Sequence, residues 1–264
     1  MDIASAVGIF FGVGMILWGQ NLEGGSVREV LQLTAAMIVL GGTSGAVMLQ
    51  FAPKTLIAAA LSLKSVFLGE KIDSVGLIRQ IVEFSKRARR EGILALEKEI
   101  SNVSDPFLSR ALRLAVDGLE PKTICDAMET QMATIEDEWK HKAEVWEAFG
   151  GYLPTIGIIG AVLGLIVVMQ NLTDIKKVGE GIATAFVATV YGVGSANLIT
   201  LPISGKVKAL GQKILRFKDM TLKGVLMIQE GTNHSIIEET LKGYLDEGTQ
   251  KRYESVAGES GGKK

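Results

Sequence analysis

The uncharged sequence YLPTIGIIGAVLGLIVVMQNL occupies residues 152–172 and contains no Asp, Glu, Lys, Arg or His. A second such stretch, IATAFVATVYGVGSANLITLPI, occupies residues 182–203. Each has about the 20 residues that a helix needs to cross the hydrocarbon core of a bilayer. Both carry small residues at helical spacing, which lets two helices approach closely. We therefore predict membrane-spanning helices at residues 151–172 and 182–203, called span three and span four below.

Two further apolar stretches lie near the N-terminus, at residues 1–20 and 30–52, and are called span one and span two. The first stretch lacks the basic flank of a signal peptide, so we expect it to be a retained span. Short polar links join span one to span two and span three to span four, which predicts two hairpins. The predicted fold class is therefore all-α: a polytopic membrane protein with four transmembrane helices and a helical cytoplasmic domain.

The distribution of basic residues predicts which side of the membrane each segment faces. The two short links contain three Lys or Arg, whereas residues 53–151 contain 14 and the chain from Ser204 onward contains 11. The positive-inside rule places the basic segments in the cytoplasm. Residues 53–150, residues 204–264 and both termini are accordingly predicted to be cytoplasmic, although Lys176 and Lys177 would then lie in an outer loop.

Both cytoplasmic segments have a helical pattern. Apolar residues recur every third or fourth position before span three, on one face of a predicted helix: Met128, Met132, Ile135, Trp139, Ala143 and Trp146. Only Gly150 and Gly151 stand between this pattern and span three, so we expect one helix to continue into the membrane. Residues 204–264 are predicted to form a helical tail whose end, from about Thr249, is polar and disordered.

A dense charge cluster, EFSKRARREGILALEKEI, occupies residues 83–100. By itself such a cluster is typical of a solvated helix face. Binding to anionic lipid is an alternative, which the flanking acidic residues disfavour. The residues alone leave both readings open.

The run RREGILALE, followed by YLPTIGIIGAVLGLI and AFVATVYGVGSAN, resembles the MotA family of ion-channel subunits of the bacterial flagellar stator. The resemblance covers nearly the whole chain. The related TolQ and ExbB proteins share the pore hairpin, but they have three spans and lack RREGILALE. The resemblance implies a ring of five such chains around two MotB chains, each of which supplies a membrane helix with an essential Asp. It also implies that the cytoplasmic loop pushes the rotor protein FliG.

The resemblance assigns rotor contact and torque to three charged residues. Arg89 and Glu97 match the family's torque-linked positions, and Arg90 is an added basic neighbour. The partner's Asp is physically required in this scheme, because spans three and four contain no carboxylate that could bind and release an ion.

The resemblance also assigns residues to the ion pathway and its coupling. Pro154 and Pro202 match the two coupling prolines, whereas the alternative is that Pro154 merely starts a span and Pro202 ends one. Ala161, Ala188 and Thr189 are expected on the pore wall, whereas the alternative is ordinary helix packing. Sodium-driven members carry threonines at all three of these pore positions. Two of the three hydroxyls are missing here, which favours protons and leaves sodium open.

Three other function classes were weighed. A TolQ-like or ExbB-like proton-channel energiser of an outer-membrane process would use the same hairpin without a rotor, and a membrane scaffold would use no ion pathway. An enzyme is not expected, because the chain shows no nucleophile motif, phosphate loop or metal-ligand spacing. No cofactor or metal is predicted, the single cysteine excludes an internal disulfide, and the net charge of −1 gives no reason to expect nucleic acid.

Overall fold

The structure, a computed structural model, describes residues 3–69 and 72–261. All regular secondary structure in these ranges is helical, which confirms the predicted all-α class. The α-helices are α1 (Ile3–Leu22), α2 (Val27–Val30), α3 (Leu33–Ala36), α4 (Gly42–Gln50), α5 (Pro53–Leu68), α6 (Ser74–Glu91), α7 (Glu97–Ile100), α8 (Pro106–Val116), α9 (Pro121–Gln170), α10 (Ile175–Ser195), α11 (Leu201–Gln229), α12 (His234–Lys242) and α13 (Glu247–Gly261). Two π-helices (Met37–Gly41 and Ala196–Thr200) and a 3-10 helix (Ile93–Leu96) complete the set.

Four helical stretches are long and apolar enough to cross a membrane, as predicted: Ala4–Leu22, Val27–Gln50, Pro121–Gln170 and Ile175–Gln229. The chain divides into two compact units. The span unit comprises Met1–Glu70 and Glu138–Leu210, and the helical unit comprises Lys71–Asp137 and Gly211–Lys264. Hydropathy alone set the predicted domain boundaries at residues 53, 151 and 204, where the apolar sequence begins or ends. The structural boundaries differ because α5 and the middle of α9 pack with the spans.

Span three is the second half of one helix of 50 residues, α9. The expectation of a helix that continues from the charged segment into the membrane is therefore confirmed. The apolar face predicted along this helix contributes to two separate hydrophobic clusters. Met128 lies in the core of the helical unit, and Ala143 lies in a cluster of the span unit. Pro154 lies inside α9 rather than at its start. Proline has no amide hydrogen, so the carbonyl of Gly150 lacks its helical donor at this point.

Span four also continues beyond the predicted end. Helix α10 passes through the π-helix Ala196–Thr200 into α11, so that one helical stretch runs from Ile175 to Gln229. Pro202 is the second residue of α11 and does not end the span. A π-helix arises where one residue is inserted into an α-helix. Its hydrogen bonds span five residues instead of four, which changes the backbone hydrogen-bonding pattern at that point.

Spans three and four cross at glycines. A Cβ atom added to Gly192 would lie 2.5 Å from the carbonyl oxygen of Leu153 and 3.1 Å from Cα of Gly157. A Cβ atom added to Gly164 would lie 2.7 Å from the carbonyl oxygen of Gly181. Because these neighbours are backbone atoms that cannot rotate away, the contact requires glycine.

The helical unit has a single core built from α6, α8, α12 and the parts of α9 and α11 that belong to it. Its largest fully buried side chains include Ile78, Ile81, Leu108, Leu112, Ile124, Met128, Met220, Ile237 and Leu241. Asp105 caps α8 by accepting hydrogen bonds from the amides of Phe107 and Leu108. The same carboxylate pairs with Lys218 of α11 at 2.8 Å, which ties α8 to α11.

The C-terminal segment, for which disorder was predicted from about Thr249, is described as a helix as far as Gly261, and residues 262–264 lie outside the described residues. Tyr253 of α13 is 4% exposed in the core of the helical unit. Its ring lies 5.8 Å from the Arg79 guanidinium carbon and 5.2 Å from Lys242 Nζ. Burial raises the pKa of Tyr253 to about 12, so the phenol is neutral at pH 7. One buried aromatic residue thus anchors an otherwise polar segment.

We expect Gly192→Ala to destabilise the span unit, because the new methyl group would overlap the Leu153 carbonyl. Overpacking of this kind costs about 1–3 kcal/mol, and each kcal/mol lowers Tm by about 2–4 °C in a chain of this size. The measurement is tryptophan fluorescence during heating of the detergent-solubilised chain, since Trp139 and Trp146 both lie in the span unit. Gly194→Ala is the matched control, because nothing lies within 4 Å of its added Cβ atom. Equal Tm values for the two variants would contradict the close contact.

We expect Tyr253→Ala to release α13, because it removes a side chain of this helix that is buried in the core of the helical unit. Trypsin should then cleave the folded full-length chain faster at Lys251 and Arg252, both exposed on α13. Tyr253→Phe keeps the ring and should cleave at the wild-type rate. Mass spectrometry of the released C-terminal peptide provides the readout. Identical cleavage of the alanine variant and the wild type would show that Tyr253 does not anchor the helix.

Candidate functional site

The charged tip, defined as residues 89–98, is formed by a sharp turn in the helical unit. Helix α6 ends at Gly92, whose φ of +87° is readily available only to glycine. The 3-10 helix Ile93–Leu96 and the short α7 follow, and Leu96 and Ile100 are buried. These buried residues hold both sides of the turn, so the residues just before and just after Gly92 are brought to the same tip.

All three predicted torque residues lie on this tip. Arg89, Arg90 and Glu97 are exposed, and none of them forms an ion pair with another described residue. Two neighbouring charged residues differ from these three, since Arg87 and Glu99 form an ion pair with each other across the turn. The chain therefore neutralises the inner charges of the cluster and leaves the outer ones available to a partner.

The tip also exposes an apolar side chain that the sequence analysis did not single out. Leu94 is 68% exposed, whereas Leu96 two positions later is fully buried. In the sequence both belong to one apolar run, ILAL, which gives no sign of which leucine faces outward. The fold of this turn sets which leucine is exposed, and in the sequence Leu94 lies between the basic residues that end α6 and the acidic residues of α7.

The predicted pore residues occupy different environments in the span unit. Ala161 is partly buried, and Thr189 is exposed. The Thr189 hydroxyl donates a hydrogen bond of 3.2 Å to the carbonyl of Ala185 in its own helix. Ala188 is fully buried, and its Cβ lies 2.7 Å from the position of a Cβ added to Gly160. In the single chain, Ala188 therefore packs between helices, as the alternative reading had it, and does not face an open surface.

The coupling prolines lie at irregular points of their helices. Pro154 is partly buried inside α9, and Pro202 is exposed near the start of α11, directly after the π-helix. Both interrupt the backbone hydrogen bonding of a helix that continues on either side.

Much of span three remains apolar and uncovered in the single chain. The exposed side chains there are Ile158, Ile159, Val162, Leu163, Leu165, Ile166, Val167 and Met169. Lipid, another copy or a different membrane helix can cover such a surface. Within the described residues, His, Cys, Asp and Glu side chains do not form a group of three that could hold a metal ion.

Tyr191 of span four is a structural residue that the sequence analysis missed. Its hydroxyl donates a hydrogen bond of 2.7 Å to the carbonyl of Val30 and accepts one of 3.2 Å from the amide of Gln32. These two backbone groups lie at the break between α2 and α3. A tyrosine in an otherwise apolar span was the available signal, because a buried phenol needs a hydrogen-bond partner.

Comparison with known proteins places the chain in a family. A sequence model of the MotA/TolQ/ExbB proton channel family matches residues 99–220. Motility protein A of Helicobacter pylori is 31% identical over 96% of this chain and 98% of its own length. The structure of C. jejuni MotAB matches with a TM-score of 0.89 and 34% identity, over 94% of this chain and 97% of that chain. The flagellar MotAB stator complex from Bacillus subtilis matches with a TM-score of 0.85 and 30% identity, over 94% and 98%.

These relationships extend over four membrane-crossing helices and the charged tip alike, and they indicate a multi-pass protein of the inner membrane. Identity at this level along nearly the full length of both chains reflects common descent rather than a shared pore hairpin alone. The chain therefore belongs to the MotA/TolQ/ExbB proton channel family.

Proposed function

We propose that this chain is a flagellar stator subunit that, with a MotB-like partner, forms a proton channel and converts ion flow into torque on the rotor. The observation that carries the proposal is the likeness to two MotAB stator structures along nearly the whole chain. A TolQ-like or ExbB-like role is less well supported, because the four-span fold and the charged tip are both features of the stator branch.

The partner supplies the ion-binding carboxylate in this proposal. Residues 151–172 and 182–203 contain no Asp, Glu, Lys, Arg or His, so the spans cannot bind and release an ion through a charged side chain. A carboxylate in the membrane has a raised pKa, and it is costly to keep charged without a counterion. Protonation removes that charge and changes which surfaces the partner's helix can contact.

Several copies of the chain surround the partner's helices, and the family resemblance suggests five. The exposed apolar surface of span three supports an assembly, because a large part of that span has no cover within one chain. The basic residues support an orientation in which the helical unit and both termini are cytoplasmic. That orientation places the charged tip on the side of the rotor.

The charged tip contacts a FliG-like rotor protein. Arg89 and Arg90 on one side of Gly92 and Glu97 on the other present opposite charges without partners in the chain. Exposed charges of this kind contribute mainly to the rate and the register of an encounter. Leu94 adds an apolar contact at the centre of the same surface.

Protons are the proposed ion. Ala161 and Ala188 lack the hydroxyl groups found at these positions in sodium-driven members, and Thr189 donates its hydroxyl hydrogen to the carbonyl of Ala185. Ala188 is moreover fully buried, with its Cβ facing Gly160 of span three. A sodium site needs several oxygen ligands, whereas a proton needs only the partner's carboxylate and a path for water.

We expect charge reversal at the tip to impair motility without reducing the amount of protein. Arg89→Glu and Glu97→Lys each reverse a charge that would face the rotor protein, and both positions are exposed. The measurement is swimming speed of a host that lacks its own stator and expresses the chain with its cognate partner, together with immunoblots of the membrane fraction. Lys122→Glu, an exposed charge reversal outside the tip, is the control. Normal swimming of both tip variants would refute the torque assignment.

We expect swimming speed to follow the proton gradient and to ignore sodium. In the same host, sodium would be varied at constant pH and ionic strength, and external pH would then be varied at constant sodium. Speed should remain constant in the first series and fall in the second as the proton gradient is reduced. Speed that rises with sodium would overturn the proton assignment while leaving the stator function intact.

A further inference from the structure

Span three and span four each have a weakened backbone at the place where they touch. In α9, Pro154 provides no amide hydrogen for the carbonyl of Gly150. In span four, the π-helix Ala196–Thr200 ends directly before Leu201, and Pro202 follows. Kinks in helices arise at prolines and π-helical insertions, so both helices are able to bend here.

The Leu201 side chain, which is 39% exposed, packs directly on the backbone of Gly150. A Cβ atom added to Gly150 would lie 2.3 Å from Leu201 Cδ2, 2.6 Å from Leu201 Cγ and 3.4 Å from the Thr200 hydroxyl oxygen. The neighbouring Gly151 is different, since nothing lies within 4 Å of its added Cβ atom. The two glycines are adjacent in the sequence, but only Gly150 receives a side chain from span four.

The π-helix directs Leu201 onto Gly150. The amide of Leu201 donates to the carbonyl of Ala196, five residues earlier, instead of the usual four. One inserted residue rotates everything that follows by about 100° around the helix axis, given 3.6 residues per turn. Without the insertion, a different side chain would face Gly150.

The two helices are tied together on either side of this contact. On one side, Gly157 and Gly192 are in backbone contact. On the other side, the Ser204 hydroxyl donates a hydrogen bond of 3.0 Å to the carbonyl of Ala143. The irregular segments around Pro154 and Ala196–Thr200 therefore lie between two interhelical contacts, so that bending there would change the angle between helices that stay in contact at both ends.

We propose that Leu201, seated on Gly150, is the pivot about which spans three and four change their mutual tilt as the channel binds and releases its ion. The inference rests on the proposed stator function, because only an ion-driven cycle supplies the repeated change in tilt. Gly150 and Leu201 act as positioning residues. They touch neither the ion nor the rotor, and they transmit movement between the pore helices and the cytoplasmic ends of α9 and α11.

The test compares four variants of the full chain, each expressed with its partner in a host without its own stator: Gly150→Ala, Leu201→Ala, the double variant and Gly151→Ala. Rotation of beads attached to flagella would be measured at high load. Membrane abundance, co-purification of the partner, and proton uptake into vesicles containing the complex would be measured for each variant. The last readout separates loss of the ion pathway from loss of coupling.

Gly150→Ala should lower torque at high load, because the new methyl group displaces the Leu201 side chain from the backbone of residue 150, while proton uptake and partner binding stay near wild type. The double variant should lose torque as Leu201→Ala does, because relief of the clash does not restore the leucine that packs on residue 150. Gly151→Ala should behave as wild type. Equal torque in Gly150→Ala and Gly151→Ala, or wild-type torque in Gly150→Ala or in the double variant, would each overturn the pivot.

If Gly150→Ala does not reach the membrane, Leu201→Ala alone decides. It adds no atom and removes the side chain that packs on Gly150, so it should accumulate normally and yet lose torque at high load, and normal torque would refute the proposal. Failure of the stator function itself is distinguishable, because the wild-type chain with its partner would then drive no rotation at all.

Discussion

The hydrocarbon core of a bilayer gives a backbone no hydrogen-bond partner outside the protein, and much of this structure follows from that constraint. Each span must be a helix, and each departure from regular helix must be compensated within the protein. The break between α2 and α3 is held by the Tyr191 hydroxyl. Pro202 has no amide hydrogen to donate, and the π-helix Ala196–Thr200 directly before it changes the backbone hydrogen-bonding pattern in the same region. The irregular points of the spans are therefore few and located at prolines, insertions and one tyrosine.

The same constraint explains why the spans of this chain are uncharged and why the ion-binding carboxylate is expected from the partner. Spans three and four form a tight, uncharged pair whose glycines bring backbone against backbone. Such a pair can guide an ion, but it has no group that holds one. The charged residues of the chain are concentrated instead in the segments outside the spans, where water screens them and a partner protein can reach them. Two of the helices, α9 and α11, carry both apolar span sequence and charged sequence beyond it.

The spans, the all-α class and the helix that continues into span three were predictable, because apolar length and helical periodicity are local properties of the sequence. The tip residues Arg89, Arg90 and Glu97 were identified through the family resemblance. Their lack of ion-pair partners was not predictable, since Arg87 and Glu99 have the same residue types and are paired. Composition predicted disorder near Thr249 because composition does not reveal that the ring of Tyr253 is buried.

The sequence by itself determined which four stretches can cross the membrane and that spans three and four carry no acidic or basic side chain, because crossing depends on apolar length and on the absence of charge. Only the tertiary structure decided which small residues face another helix. Ala188 is buried on Gly160 while the adjacent Thr189 is exposed, and Gly150 receives Leu201 while Gly151 receives nothing. Neighbouring residues of a helix point about 100° apart, so these choices depend on the angle and register at which two helices pack. Both quantities are set by contacts between residues that are distant in the sequence.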